Sequence, residues 1–185
     1  MAEAGGVTVY TIGHSTRPFE AFAELLARER VRCLADVRTF PASRRHPQYN
    51  AAPLAAALTA LGVDYVHLPR LGGRRRPLPD SPNRGWRNEG FRGYADHMAT
   101  AEFREALETL VGLAAVQRTV MMCAEAVPWR CHRSLVSDAL VARGDAVLHI
   151  LDAKTAPHEL TSFAVVHDGR VHYPPAGPQQ ELFGG

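Results

Sequence analysis

Short apolar runs alternate with helical stretches along most of the chain, and this alternation constrains the fold more than any other feature. Val7–Ile12 is β-branched and aromatic, lies between Gly6 and Gly13, and reads as a buried strand. Arg32–Val37, Val63–Leu68, Thr119–Cys123 and Ala146–Leu151 read as four more strands. Between them, Pro18–Glu29, Ala51–Leu61, Tyr94–Ala115 and Cys131–Arg143 carry helical spacing or composition, with Gly62 and Gly144 placed as C-cap glycines. The expectation is an α/β domain with a largely parallel five-stranded sheet flanked by helices. Asp168-Gly169 between two β-rich arms predicts a late hairpin over Val165–Tyr173.

A chain of 185 residues fits one domain, here 1–174, followed by a flexible tail at 175–185. No apolar run approaches the roughly 20 residues of a membrane helix. The N-terminus lacks the basic-then-apolar order of a signal peptide, so a cytoplasmic protein is expected. Cys33, Cys123 and Cys131 are too few and odd in number for a disulfide scaffold, which agrees with a reducing compartment. Lys154 is the sole lysine among 21 basic residues, so a Schiff-base mechanism has one side chain to use.

Ligands of parallel α/β sheets bind at the carboxyl ends of strands. The first strand runs into Gly13-His14-Ser15-Thr16, the second into Asp36 and Arg38, the third into Arg70-Leu71-Gly72-Gly73, and the fourth into Cys123-Ala124-Glu125. The densest cluster, Cys123 to Arg133, allows three readings. Cys123, Cys131 and His132 are ligands zinc accepts, although the usual paired cysteine spacing is absent. Cys131, beside Arg130, His132 and Arg133, suits a nucleophilic thiolate. Alternatively Glu125 acts, with the helix start at Cys131–Arg133 holding an anion. Asp36 near Glu125 would give two carboxylates to divide acid-base and charge-stabilising work, with His14 as a further acid or polar contact.

The insertion at 69–93 holds Arg70, Arg74, Arg75, Arg76, Arg84, Arg87 and Arg92 against Asp80 and Glu89, a local charge of +5. Trp86, Phe91 and Tyr94 are interleaved. Arginines that contact phosphate and aromatics that stack on bases make this a candidate nucleic-acid surface. The C-terminal Gln179-Gln180-Glu181-Leu182-Phe183 is similar to Q-x-x-L-F peptides that bind bacterial sliding clamps, which makes Gln179, Leu182 and Phe183 the candidate partner contacts.

Thr11-Ile12-Gly13-His14-Ser15, Asp36-Val37-Arg38 with Pro41 and Ser43, Leu71-Gly72-Gly73, and Cys123-Ala124-Glu125 with Pro128 and Cys131-His132-Arg133 together resemble the signature blocks of the domain-of-unknown-function 488 family. The resemblance runs from about Tyr10 to Leu151. It implies a compact α/β domain in which these blocks surround one site, and it implies no particular activity. The residues themselves point to DNA and, most concretely, to a base-excision N-glycosylase. Glu125 or Asp36 would activate water, and Tyr49, Trp86 or Phe91 would stack on a flipped base. Ser15, Arg38, Ser43, Gly72, Gly73, Cys123, Cys131, His132 and Arg133 would complete the pocket. The alternatives are cysteine-dependent sulfur transfer or thiol-redox chemistry on a small molecule, and a non-catalytic clamp-linked DNA-binding module. No cofactor is required unless zinc occupies the cysteine cluster.

Overall fold

The structure, a computed structural model, describes residues 6–176. The clamp-like residues Gln179, Leu182 and Phe183 lie outside the described residues. Five parallel strands form the sheet: β1 (Thr8–Gly13), β2 (Cys33–Asp36), β3 (Asp64–His67), β4 (Thr119–Cys123) and β5 (Ala146–Ile150). A sixth, β6 (Thr155–Pro157), pairs antiparallel with β5 and closes the edge, giving the order β3-β2-β4-β1-β5-β6. This strand is an addition to the five expected. Three residues containing a proline carry too little periodicity to announce a strand, and proline is tolerated only at such an edge.

Alternation along each strand divides the core between the two faces of the sheet. Tyr10, Ile12, Leu34, Val120 and Met122 face α1 (Phe19–Arg28) and α2 (Ala51–Ala60), which bury Phe22, Leu26, Leu54 and Leu58 against them. Val9, Ala35, Val37, Met121 and Val147 face the other layer of helices. That layer contains α3 (Glu89–Met98), α4 (Ala101–Val116) and α5 (Arg133–Ala142). The first connections run from β1 outward to β3, and the later ones return to β4 beside β1. The reversal leaves a crevice beyond the carboxyl ends of β1, β2 and β4.

The single helix expected over Tyr94–Ala115 is two. Thr100 stops the first and caps the second: its hydroxyl donates to the His97 carbonyl at 2.7 Å and accepts the Phe103 N–H at 3.2 Å. The helix expected from Cys131 starts two residues later, at Arg133, because Pro128–Arg130 forms a 3-10 turn and Cys131 is extended. The late hairpin is present as β7 (Val165–His167) and β8 (Arg170–His172), with Asp168 and Gly169 both at positive φ as a tight primed turn requires. Among the described residues no helix is long and apolar enough to cross a membrane.

The basic insertion is anchored rather than loose. Asp96 on α3 accepts hydrogen bonds from Leu78 N, Ser81 Oγ and Asn83 Nδ2 at 2.8, 2.6 and 2.9 Å. At Gly93, an added Cβ would lie 2.3 Å from the Arg75 carbonyl oxygen, so glycine lets the insertion backbone seat directly on the helix.

Candidate functional site

A cleft of about 590 Å³ opens at the reversal point, lined by residues from the ends of β1, β2 and β4 and from the insertion. His14, Ser15, Arg38, Ser43, Gly73, Cys123, Glu125, Cys131 and His132 all line it, so residues scattered over more than a hundred positions share one cavity. Thr16, Thr39, Phe40, Ala42, His46, Arg74 and Ala124 complete the wall.

The backbone at the cleft is tightly constrained. A Cβ on Gly13 would fall 1.7 Å from the Glu125 carbonyl oxygen, so only glycine lets the end of β1 lie against the loop after β4. His14 N and Ser15 N then donate to Cys123 O and Ala124 O, locking the two loops together. Ser15 and Arg74 both sit at positive φ, 50° and 63°. Such a conformation costs a non-glycine residue on the order of 1–3 kcal/mol and tends to cluster at functional sites.

Arg38 organises the floor. Its Nε and Nη2 donate to Asp36 at 2.8 and 2.6 Å, Nη2 also donates to Tyr49 O at 2.7 Å, and Nη1 lies 3.3 Å from His14 Nε2. Tyr65 donates its hydroxyl to the second Asp36 oxygen at 2.8 Å, and His67 Nε2 donates to the Arg38 carbonyl at 2.8 Å. Sequence reasoning missed both. Their spacing of two on β3, pointing the same way as Asp36 on the neighbouring strand, was the available signal.

Three assignments change in this setting. Asp36 is fully buried, with its carboxylate occupied by Arg38 and Tyr65, so it positions Arg38 and does not touch the cleft. Tyr49 cannot stack on a base: its ring is buried, stacked on His14 with centroids 4.2 Å apart, and its hydroxyl donates to Arg17 O. His14 is held as the Nδ1–H tautomer by the Ser15 carbonyl at 2.8 Å, leaving Nε2 as acceptor for Arg38. Burial, assisted by the Arg38 charge, lowers its pKa to about 4, so at neutral pH it is an uncharged polar contact whose one N–H is engaged by the Ser15 carbonyl.

Gly72 and Arg133 support the wall from behind. Gly72 packs against Thr39, and the buried Arg133 guanidinium donates to the Glu125 carbonyl at 2.8 Å, fixing the loop that carries Glu125. Cys131 Sγ accepts the Arg133 N–H at 3.4 Å and lies 3.6 Å from His132 Nδ1. Hydrogen bonding from Cys123 and the charges of His132 and Arg133 hold its thiol well below the usual range, while burial pushes Cys123 up. Among the described residues no three His, Cys, Asp or Glu side chains group as a metal site, Cys123, Cys131 and His132 included.

The insertion divides into two parts. Arg70, Arg74, Arg76, Arg84 and Arg87 are exposed; of these Arg70 pairs with Glu105 at 3.2 Å, while the half-buried Arg92 pairs with Glu89 at 3.6 Å and Arg75 donates to Gly72 O. Its aromatics turn inward. Trp86 packs on Phe91, Phe163 and Tyr173 with centroids 4.9 to 5.4 Å apart, so the half-buried Trp86 and Phe91 anchor the insertion, and neither lines the cleft. The exposed aromatic at the cleft is instead Phe40, 72% accessible, on a loop that also carries the exposed Arg44 and Arg45. No motif marked Phe40, because it follows Asp36-Val37-Arg38 as an ordinary loop residue.

No curated protein and no solved structure matches the chain. The matching family model covers a narrower span than the resemblance from Tyr10 to Leu151, since it begins after His14 and ends within α5. That model is described as Domain of unknown function DUF488, and because it matches residues 18–140, about two thirds of the chain, this protein belongs to that family.

Proposed function

We propose that the protein is a DNA-associated hydrolase that cleaves the N-glycosidic bond of a damaged base, with Glu125 activating the attacking water. The observation that carries this reading is the state of the Glu125 side chain: it is exposed on the cleft wall and enters none of the ion pairs among the described residues. Asp36 is committed to Arg38, so Glu125 is the carboxylate that faces the cavity. A positioned general base contributes typically 10²–10⁴-fold to rate, and an oxocarbenium-like transition state gains further from a nearby negative charge.

The surroundings suit a nucleotide drawn out of a duplex. Phe40 and Arg74 are exposed residues of the cleft lining, Arg44 and Arg45 are exposed on the loop that carries Phe40, and His14 and Ser43 offer polar contacts inside. The tail residues Gln179, Leu182 and Phe183 would tether this cleft to a sliding clamp.

The test is a panel of duplexes carrying alkylated, deaminated or oxidised bases, scored for abasic-site formation. Glu125→Gln should abolish product while DNA affinity stays within about twofold; full activity in that variant overturns the assignment. DNA binding with no product on any lesion would leave a clamp-linked binding module. Clamp titration with full-length protein and with a chain truncated at Gly177 tests the tether separately, and equal binding by both removes it.

A further inference from the structure

The three cysteines occupy different chemical settings. Cys33 lies inside β2, fully buried and away from the cleft. Cys123 ends β4 and Cys131 precedes α5, yet both line the same cleft. Arg133 N–H donates to Cys131 sulfur at 3.4 Å, so that atom is fixed by the backbone two residues ahead.

His132 supplies what a nucleophile needs. Its Nε2 lies 3.3 Å from the Val37 carbonyl, an acceptor only, so Nε2 carries hydrogen and Nδ1 faces Cys131 sulfur with its lone pair. Transfer of the Cys131 proton to Nδ1 gives a thiolate–imidazolium pair, stabilised by the Arg133 N–H. Nothing in the glycosidic reading uses this arrangement.

We propose that Cys131 and Cys123 form a reactive dithiol at the cleft floor, Cys131 attacking low-molecular-weight disulfides and Cys123 resolving the product. Cys131 thiolate forms a bond to one sulfur of RSSR and the disulfide bond breaks, releasing RS⁻, which takes the proton held by His132. Cys123 then loses its proton and attacks Cys131 sulfur, expelling the second RS⁻, which takes up that proton. The two protein thiols are oxidised to one disulfide and RSSR is reduced to two RSH. Cys123 and Cys131 are eight positions apart in sequence and line one cleft, which presents both thiols to the same substrate.

Full-length protein incubated with glutathione disulfide, without DNA, tests this by intact mass and peptide mapping. The expected wild-type product has lost the mass of two hydrogens, contains a Cys123–Cys131 linked peptide and has released two glutathione thiols per chain. Cys123→Ser should stop at a glutathione adduct on Cys131, and Cys131→Ser should remain unmodified over the same interval. His132→Gln retains both thiols and should slow the first step by about tenfold or more at neutral pH. A wild-type chain that stops at the adduct, or an unaltered rate in His132→Gln, overturns the proposal. Because no nucleic acid is present, either outcome is independent of the Glu125 experiment.

Discussion

Arg38 and Asp36 meet through two nearly parallel hydrogen bonds, 2.8 and 2.6 Å, in the buried floor of the cleft. Arg38 is 8% accessible and Asp36 not at all, so neither charge is satisfied by bulk water. Removing one partner from a buried pair leaves the other uncompensated, at a cost of about 3–5 kcal/mol. Asp36→Asn should therefore lower unfolding free energy by about that amount in urea titration. Replacing both by apolar residues of similar size, as in D36L/R38M, should cost less than D36N alone. A double variant less stable than the single would contradict the account.

Stability should fall on mild acidification. His14 and His149 are both held near pKa 4, chiefly by burial, against 6.5 in an unfolded chain. His149 sits in a relay in which Thr11 donates to its Nδ1 at 2.7 Å and its Nε2 donates to His158 Nδ1 at 3.0 Å; His158 Nε2 in turn donates to Asp138 at 2.8 Å. Between pH 6.5 and 4 the unfolded state binds protons that the folded state refuses, so stability is full above 6.5 and is lost as pH falls through that window. Urea midpoints measured from about pH 7 to 4 should decline, and the decline should be shallower in His14→Gln. Parallel slopes would place the proton uptake elsewhere.

Trp86 should behave as an anchor of the insertion. Trp86→Ala removes the ring that joins Phe91, Phe163 and Tyr173, and truncating a packed aromatic costs about 3–5 kcal/mol when fully buried. Its indole nitrogen has no hydrogen-bond partner among the described residues, so Trp86→Phe sacrifices packing volume but no bond. Thermal unfolding should show a large loss for alanine and a small one for phenylalanine. Similar losses in both would point to a polar role for the indole.

The exposed arginines should govern DNA affinity unequally. Substituting Arg74, Arg76, Arg84 and Arg87 by serine should weaken binding across all sequences. The slope of log affinity against log salt should flatten by up to about 0.9 for each phosphate that is no longer neutralised. Arg70 and Arg92, already paired with Glu105 and Glu89, should contribute less. Electrophoretic or anisotropy titrations at several salt concentrations measure this directly, and an unchanged slope in the fourfold variant assigns the insertion to solvent.

Phe40→Ala gives a sharper test of the cleft mouth. The ring is 72% exposed, so its loss should leave stability nearly unchanged. If it stacks on an unpaired base, affinity for single-stranded or lesion-bearing DNA should drop by about 1–3 kcal/mol, with intact duplex affected less.

The five parallel strands, the late hairpin and the strand-end placement of His14, Arg38, Cys123 and Glu125 were legible in the sequence because they depend on local rules. Apolar alternation selects strands, Asp168-Gly169 selects the turn, and a parallel α/β topology gathers its strand ends on one side. Which of those polar residues remain free was not legible. Tyr65 and His67 reach Asp36 and Arg38 across neighbouring strands, and that cross-strand pairing turns Asp36 from a candidate catalyst into a positioning group. The same applies to Trp86, drawn inward by Phe163 and Tyr173 from beyond α5, and to Phe40, left outside. Composition tells what a side chain can do, but desolvation and hydrogen-bond partners supplied by distant segments decide what it does, and those exist only once the chain has closed on itself.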